Sequence, residues 1–109
     1  MIKIYGFIGS YNTIKVVYTA EELGVQYEYV NLNGMTGEHK TPEHLKRHPL
    51  GKTPAIEHDG KPLFESAAIC RYMGNIANSP LYPTNAYDRA LVDQWMDMNA
   101  HHVGKHFST

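Results

Sequence analysis

The stretch from Ile2 to Leu32 limits the fold more than any other part of the chain. "IKIYGF", Ile2 to Phe7, reads as a buried strand. "TIKVVYTAEELG", Thr13 to Gly24, carries Ile14, Val17, Ala20 and Leu23 in steps of three and ends on a glycine, the residue that most easily stops a helix. "VQYEYVNL", Val25 to Leu32, alternates and sets Val25, Tyr27, Tyr29 and Asn31 on one face. Strand, helix and strand in that order imply a right-handed crossover joining two parallel strands.

The segments after Leu32 add a second unit. "NGMTGEHK", Asn33 to Lys40, is loop-like. "TPEHLKRH" has Thr41 as a helix cap and Pro42 at the first helical position. "TPAIEHDGKPLF" reads as two short strands around an Asp59-Gly60 turn. Ser66 to Ala77 reads as a helix, and Asn78 to Asn85, with Pro80 and Pro83, as a linker. A further helical pattern runs from Ala86 to about Phe107. Val92, Met96, Ala100, Val103 and Phe107 make one apolar stripe on it, and Leu91, Trp95 and Met98 a second. The expected class is α/β, a βαβαββα order that forms a mixed four-stranded sheet with helices on both faces, followed by the start of an all-α region.

Composition narrows the possible functions. The chain has 109 residues, enough for one domain or one domain and part of another. Eight tyrosines and a net charge of -1 exclude a disordered chain and give no field to attract nucleic acid or an anionic membrane. No apolar run approaches a membrane span, and "MIKIYGFIGS" lacks a signal-peptide core. The default expectation is cytoplasmic. The single Cys70 rules out an internal disulfide and reads as a small half-buried hydrophobe. His44 with His48, and His102 with His106, have helical i, i+4 spacing, but without a third ligand they do not make a metal site, and none is expected.

Four segments, "YGFIGSYN", "ELGVQYEYVNL", "GEHKTPEHLKRHPLGKTPAI" and "LFESAAICRYM", resemble, in order and spacing, the thioredoxin-like N-terminal domain of cytosolic glutathione transferases. The similarity is greatest to phi-like and related bacterial classes that use a serine or nearby hydroxyl. It implies a glutathione-binding domain over 1–77, a linker over 78–85, and over 86–109 the first helix of a truncated all-helical domain. It implies transfer of glutathione, a co-substrate rather than a resident cofactor, to a small hydrophobic electrophile in detoxification, with no metal. It implies a homodimer of a chain about twice this length. The alternatives are a non-catalytic binding or assembly module, and a glutathione-dependent reductase or isomerase. The absence of a cysteine after the first strand argues against dithiol chemistry.

The same resemblance assigns site residues. Glu65 and Ser66 match a pair that holds the γ-glutamyl end, Ser66 taking its carboxylate and Glu65 facing its ammonium. Ser66 is expected at the helix N-cap, where it would equally serve as a plain cap. Thr53-Pro54 matches a cis bond that presents the backbone of Thr53 to the cysteinyl part; a trans proline opening an edge strand fits the residues as well. His39, Lys40 and Lys52 match positions that bind the glycyl carboxylate. Ser10 is the choice for the hydroxyl that favours the thiolate, with Tyr11 and Asn12 as alternatives and simple capping as its other reading. Tyr5 is expected in the core. Leu50 matches an apolar dimer contact.

Overall fold

The computed structural model of the chain describes residues 1–7 and 9–99. Strand β1 (Ile2–Gly6) leads to helix α1 (Tyr11–Leu23) and strand β2 (Tyr27–Asn31). Two 3-10 turns, Gly34–Thr36 and Glu38–Lys40, precede helix α2 (Pro42–Arg47). The hairpin β3 (Ala55–His58) and β4 (Lys61–Phe64) is followed by helices α3 (Ser66–Ile76) and α4 (Ala86–Met98). The expected order is therefore present through α4. Ala100, Val103, Phe107, His102 and His106 lie outside the described residues.

The four strands stand in the order β2-β1-β3-β4. β1 is parallel to β2 and antiparallel to β3, and β3 is antiparallel to β4. Side chains alternate across β1. Ile2 and Ile4 enter the main core with Val16 and Ala20 of α1, Ile56 of β3, and Ile69, Cys70 and Met73 of α3. Tyr5 points the other way and is also buried. The guanidinium of Arg47, at the end of α2, stacks 3.6 Å over its ring. Its hydroxyl donates to Glu57 Oε1 at 2.7 Å, so α1 and α3 cover one face and α2 the other. Burial first, and then Glu57, raise the pKa of Tyr5.

The caps behave as the sequence indicates. Gly24 ends α1 in the left-handed conformation at φ 69. Thr41 Oγ1 accepts from the His44 N–H, and Pro42 opens α2. One expected face needs correction. Ile14 is half exposed, and the buried residues of α1 are Thr13, Val16 and Ala20. A step of three residues falls roughly 60° short of a full turn, so the row Ile14, Val17, Ala20, Leu23 winds around the helix instead of following one face. The core takes the steps of three and four.

At the end of β1 the helix approaches the strand closely. A methyl placed on Gly6 would overlap Thr13 Cγ2, and Thr13 is fully buried. Gly6→Ala should cost about 1–3 kcal/mol through overpacking. Urea unfolding of the variant checks this, and an unchanged midpoint would mean that Thr13 moves aside freely.

Candidate functional site

Strand directions bring the site together. Gly6 ends β1 beside Asn31, the end of its parallel partner. Ala55, the start of antiparallel β3, pairs with Tyr5 on one side and with Phe64, the end of β4, on the other. The segments that follow β1, β2 and β4, and the one that precedes β3, therefore leave the sheet at the same edge. Outside this edge lies a cleft of about 450 Å³. Ser10, Asn12, His39, Lys40, Lys52 and Thr53 line it, with Phe7, Leu32 and Gly34. Of the residues expected from sequence, Tyr11, Leu50, Pro54, Glu65 and Ser66 do not line it.

One wall is made by helix ends. Ser10 caps α1 in extended conformation, but its hydroxyl makes no cap hydrogen bond. Simple side-chain capping is thus not what occupies that hydroxyl. Ser66 Oγ donates to Asn12 Oδ1 at 3.3 Å, joining the first turns of α1 and α3. Two helix N-termini, each with a partial positive charge, therefore begin beside one another. The expected cap of α3 shifts by one residue: Glu65 is the N-cap and Ser66 the first helical residue. Glu65 has φ 78, a left-handed conformation that costs a non-glycine residue on the order of 1 kcal/mol or more. This turn leaves the Glu65 side chain exposed and free of any cap hydrogen bond. Tyr11 faces elsewhere, donating its hydroxyl to Asn99 Oδ1 at 3.1 Å.

The opposite wall is cationic and rests on the loop before β3. Lys40 Nζ donates to the Leu50 carbonyl at 2.9 Å, and His39 Nδ1 is buried without a hydrogen-bond partner among the described residues. Gly51, at φ 65, suits glycine: the left-handed backbone strains any other residue, and a Cβ there would come 3.0 Å from the His39 carbonyl. The Thr53-Pro54 bond is cis, and Pro54 is buried next to Ala55. Leu50 is 61% exposed.

Two residues of this wall were not recognised from sequence. His44 and His48 are buried, and both contact the loop. His44 Nε2 donates to the Lys52 carbonyl at 2.7 Å, while its Nδ1 accepts from Arg47 Nε at 3.3 Å. His48 Nδ1 accepts from the Leu50 N–H at 3.2 Å, and its ring lies 4.5 Å from that of Phe64. Their i, i+4 spacing just before Gly-Lys-Thr-Pro was the available signal. It places one imidazole on α2 and one on its extended C-cap residue, both against the same loop. Among the described residues there is no group of three or more His, Cys, Asp or Glu that could hold a metal.

A second groove, of about 230 Å³, separates α1 and α3 from α4 and is lined mainly by apolar groups, including Leu23, Cys70, Val92 and Met96. Burial raises the pKa of the Cys70 thiol, which keeps it protonated and unreactive. The first cleft is the more polar of the two. It can receive anions on both walls and offers, at Ser10, a hydroxyl not used by the helix cap.

Comparison with known proteins agrees with this geometry. Residues 1–75 match the family model described as glutathione S-transferase, N-terminal domain. The chain belongs to the glutathione S-transferase family. It is 42% identical over 101 residues to glutathione S-transferase 1 of Zea mays, covering 91% of this chain and 47% of that relative. A theta class glutathione S-transferase of Xanthomonas axonopodis pv. citri, solved with glutathione bound, superposes with a TM-score of 0.86 at 36% identity, over 93% of this chain and 49% of that one. Elongation factor 1-gamma 1 of Oryza sativa subsp. japonica is 38% identical over 92% of this chain and 24% of its own length. The chain thus spans about half the length of the transferase-family relatives it matches.

Burial lowers the pKa of both His44 and His48 below the ordinary imidazole value. The unfolded chain then binds protons more readily than the folded one. The stability these groups contribute is complete above about pH 6.5 and is lost as pH falls through their folded values. The urea midpoint should drop between about pH 7.5 and 5.5, and drop less in a His44→Gln, His48→Asn double variant. Equal drops in the two proteins would remove the histidines as the cause.

Proposed function

We propose that the chain is the glutathione-binding part of a transferase that activates the glutathione thiol for attack on a hydrophobic electrophile. One observation carries this reading: a single cleft collects Ser10, Asn12, His39, Lys40, Lys52 and Thr53 beside the paired N-termini of α1 and α3. Glutathione has two carboxylates, an ammonium, two peptide groups and a thiol, and the cleft together with the start of α3 beside it has a complement for each. His39, Lys40 and Lys52 take the glycyl carboxylate. The backbone of Thr53, before the cis Pro54, pairs with the cysteinyl unit as an added strand. Ser66 and the first amides of α3 take the γ-glutamyl carboxylate, and Glu65 its ammonium. The Ser10 hydroxyl, unused by the helix cap, donates to the sulfur and stabilises the thiolate.

In this reading residues 1–77 are the glutathione domain, 78–85 the linker, and 86–109 the opening helix of an all-helical second domain that supplies the electrophile site. The complete protein is a cytoplasmic homodimer active in detoxification, with exposed Leu50 and the exposed Leu91, Trp95 and Met98 of α4 available for subunit or domain contacts. A reductase or isomerase that uses the same thiolate is a variant of the same chemistry. The similarity to elongation factor 1-gamma favours a second reading, an assembly module without catalysis.

Calorimetry separates these readings. The wild-type chain should bind glutathione, and Ser66→Ala should lose about 1.5–3 kcal/mol by removing a donor to a charged group. Wild-type affinity in that variant would refute the assignment of the γ-glutamyl site. In the complete protein, Ser10→Ala should raise the pKa of the bound thiol and the barrier by ~2 kcal/mol or more, with affinity little changed. If the large loss falls on Asn12→Ala or Tyr11→Phe instead, the activating group is one of those. Binding with an unshifted thiol pKa would identify the module.

A further inference from the structure

The loop between α2 and β3 carries Lys52 and Thr53 to the cleft, and two buried imidazoles hold it. At its start, the Leu50 N–H ends on His48 Nδ1, and the Gly51 N–H closes a turn onto the His48 carbonyl at 2.8 Å. At its end, the Lys52 carbonyl accepts from His44 Nε2. The two histidines are themselves joined, the His48 N–H donating to the His44 carbonyl at 2.8 Å. A backbone N–H can only donate and a carbonyl can only accept, so the partners fix both rings as the neutral Nε2–H tautomer.

We propose that His44 and His48 are positioning residues for the glutathione cleft, holding Lys52 and Thr53 in their binding arrangement only while both imidazoles are neutral. This inference rests on the reading of the cleft as a glutathione site. A proton on His48 Nδ1 would face the Leu50 N–H and remove that acceptor. A proton on His44 Nδ1 would face Arg47 Nε. The charges that bear on His44 come from Arg47, His39 and Lys40, and each disfavours its protonated form, while the Lys52 carbonyl that it donates to favours it. Around His48 stand Lys52, Lys40 and His44, with Glu65 as the one opposing charge. Acid therefore puts positive charge into a cationic cluster and separates the loop from α2. The loop's other tie, Lys40 Nζ to the Leu50 carbonyl, engages an acceptor and cannot replace the lost bond from the Leu50 N–H.

Protonating His48 should weaken binding by displacing Lys52 and Thr53. Glutathione's own carboxyl, ammonium and thiol groups titrate largely outside pH 5.5 to 7.0.

The test is glutathione calorimetry at pH 7.0 and 5.5 on the wild-type chain, His48→Asn and His48→Leu. It is accompanied by the pH titration of the Leu50 and Thr53 amide resonances with and without glutathione. An Asn side-chain oxygen can accept the Leu50 N–H and does not titrate. Wild type should weaken at pH 5.5 by roughly fivefold or more, a typical coupling between sites. His48→Asn should bind at pH 7.0 and weaken less at 5.5, and His48→Leu should bind poorly at both. By reciprocity, glutathione should move the Leu50 amide titration to lower pH. Wild-type binding that is equal at both pH values, or a Leu50 amide that does not respond, overturns the positioning role while leaving the glutathione reading intact. Absence of wild-type binding at pH 7.0 overturns the glutathione reading and, with it, the stated role. The Leu50 titration in free protein would then report only whether the histidines set the loop.

Discussion

Ile4 and Ile56 face each other across the central antiparallel pair, and neither is exposed to solvent. This pairing joins the N-terminal strand-helix-strand unit to the C-terminal hairpin and helix. Without it each half would hold only two strands, too few for a stable sheet. It also decides where the functional residues go. Because β3 runs against β1, the end of β1 lies beside the beginning of β3, and Ser10 and Thr53, far apart in sequence, border one cleft. The core supplies the adhesion and the strand directions supply the address.

The electrostatics of the cleft come from the same arrangement. α1 and α3 pack together over the core face and start at the same edge, so their amide ends add. α2 packs over the other face through Arg47 on Tyr5 and sends the next loop back to that edge. Each wall is favourable to negative charge for its own reason: backbone dipoles on one, lysine and histidine side chains on the other. The exposed carboxylate of Glu65 at the rim is the local exception, and its left-handed turn keeps it outside the helix it caps.

Much of this could be read in the chain. Gly24, Thr41 with Pro42, and Asp59-Gly60 act through their own backbone chemistry, which is why they mark ends and turns without knowledge of the fold. Tyr5 followed from its place inside the first strand. Family likeness, not local physics, named Ser10, Lys52 and Thr53-Pro54, and the cis bond is present. What failed depended on three dimensions. Ile14 fits a row of three-residue steps, yet the sheet selects the face of Thr13 and Val16. Ser66 resembles a cap, but the strained turn at Glu65 moves the helix start by one residue. His44 and His48 were weighed only as a metal pair and set aside, because the groups they hold are mainly backbone atoms of the loop after them, and side-chain patterns do not reveal backbone partners.

The attachment of α4 is of a different kind from the rest. None of its described residues is fully buried. It is held by Arg71, whose Nε lies 2.8 Å from Asp93 and whose Nη2 donates to Asp97 at 2.7 Å, by Tyr82 to Asp93, and by Arg89 to Asn75 and the Pro83 carbonyl. Such half-exposed polar ties weaken in salt, whereas the apolar contacts under α1 and α3 do not. Ionic strength therefore acts more on the attachment of α4, where Met96 is the apolar contact with the core, than on the sheet beneath α1 and α3. As salt rises, the amides of α4 would exchange with solvent by a local opening while those of β1 and β3 still wait for global unfolding.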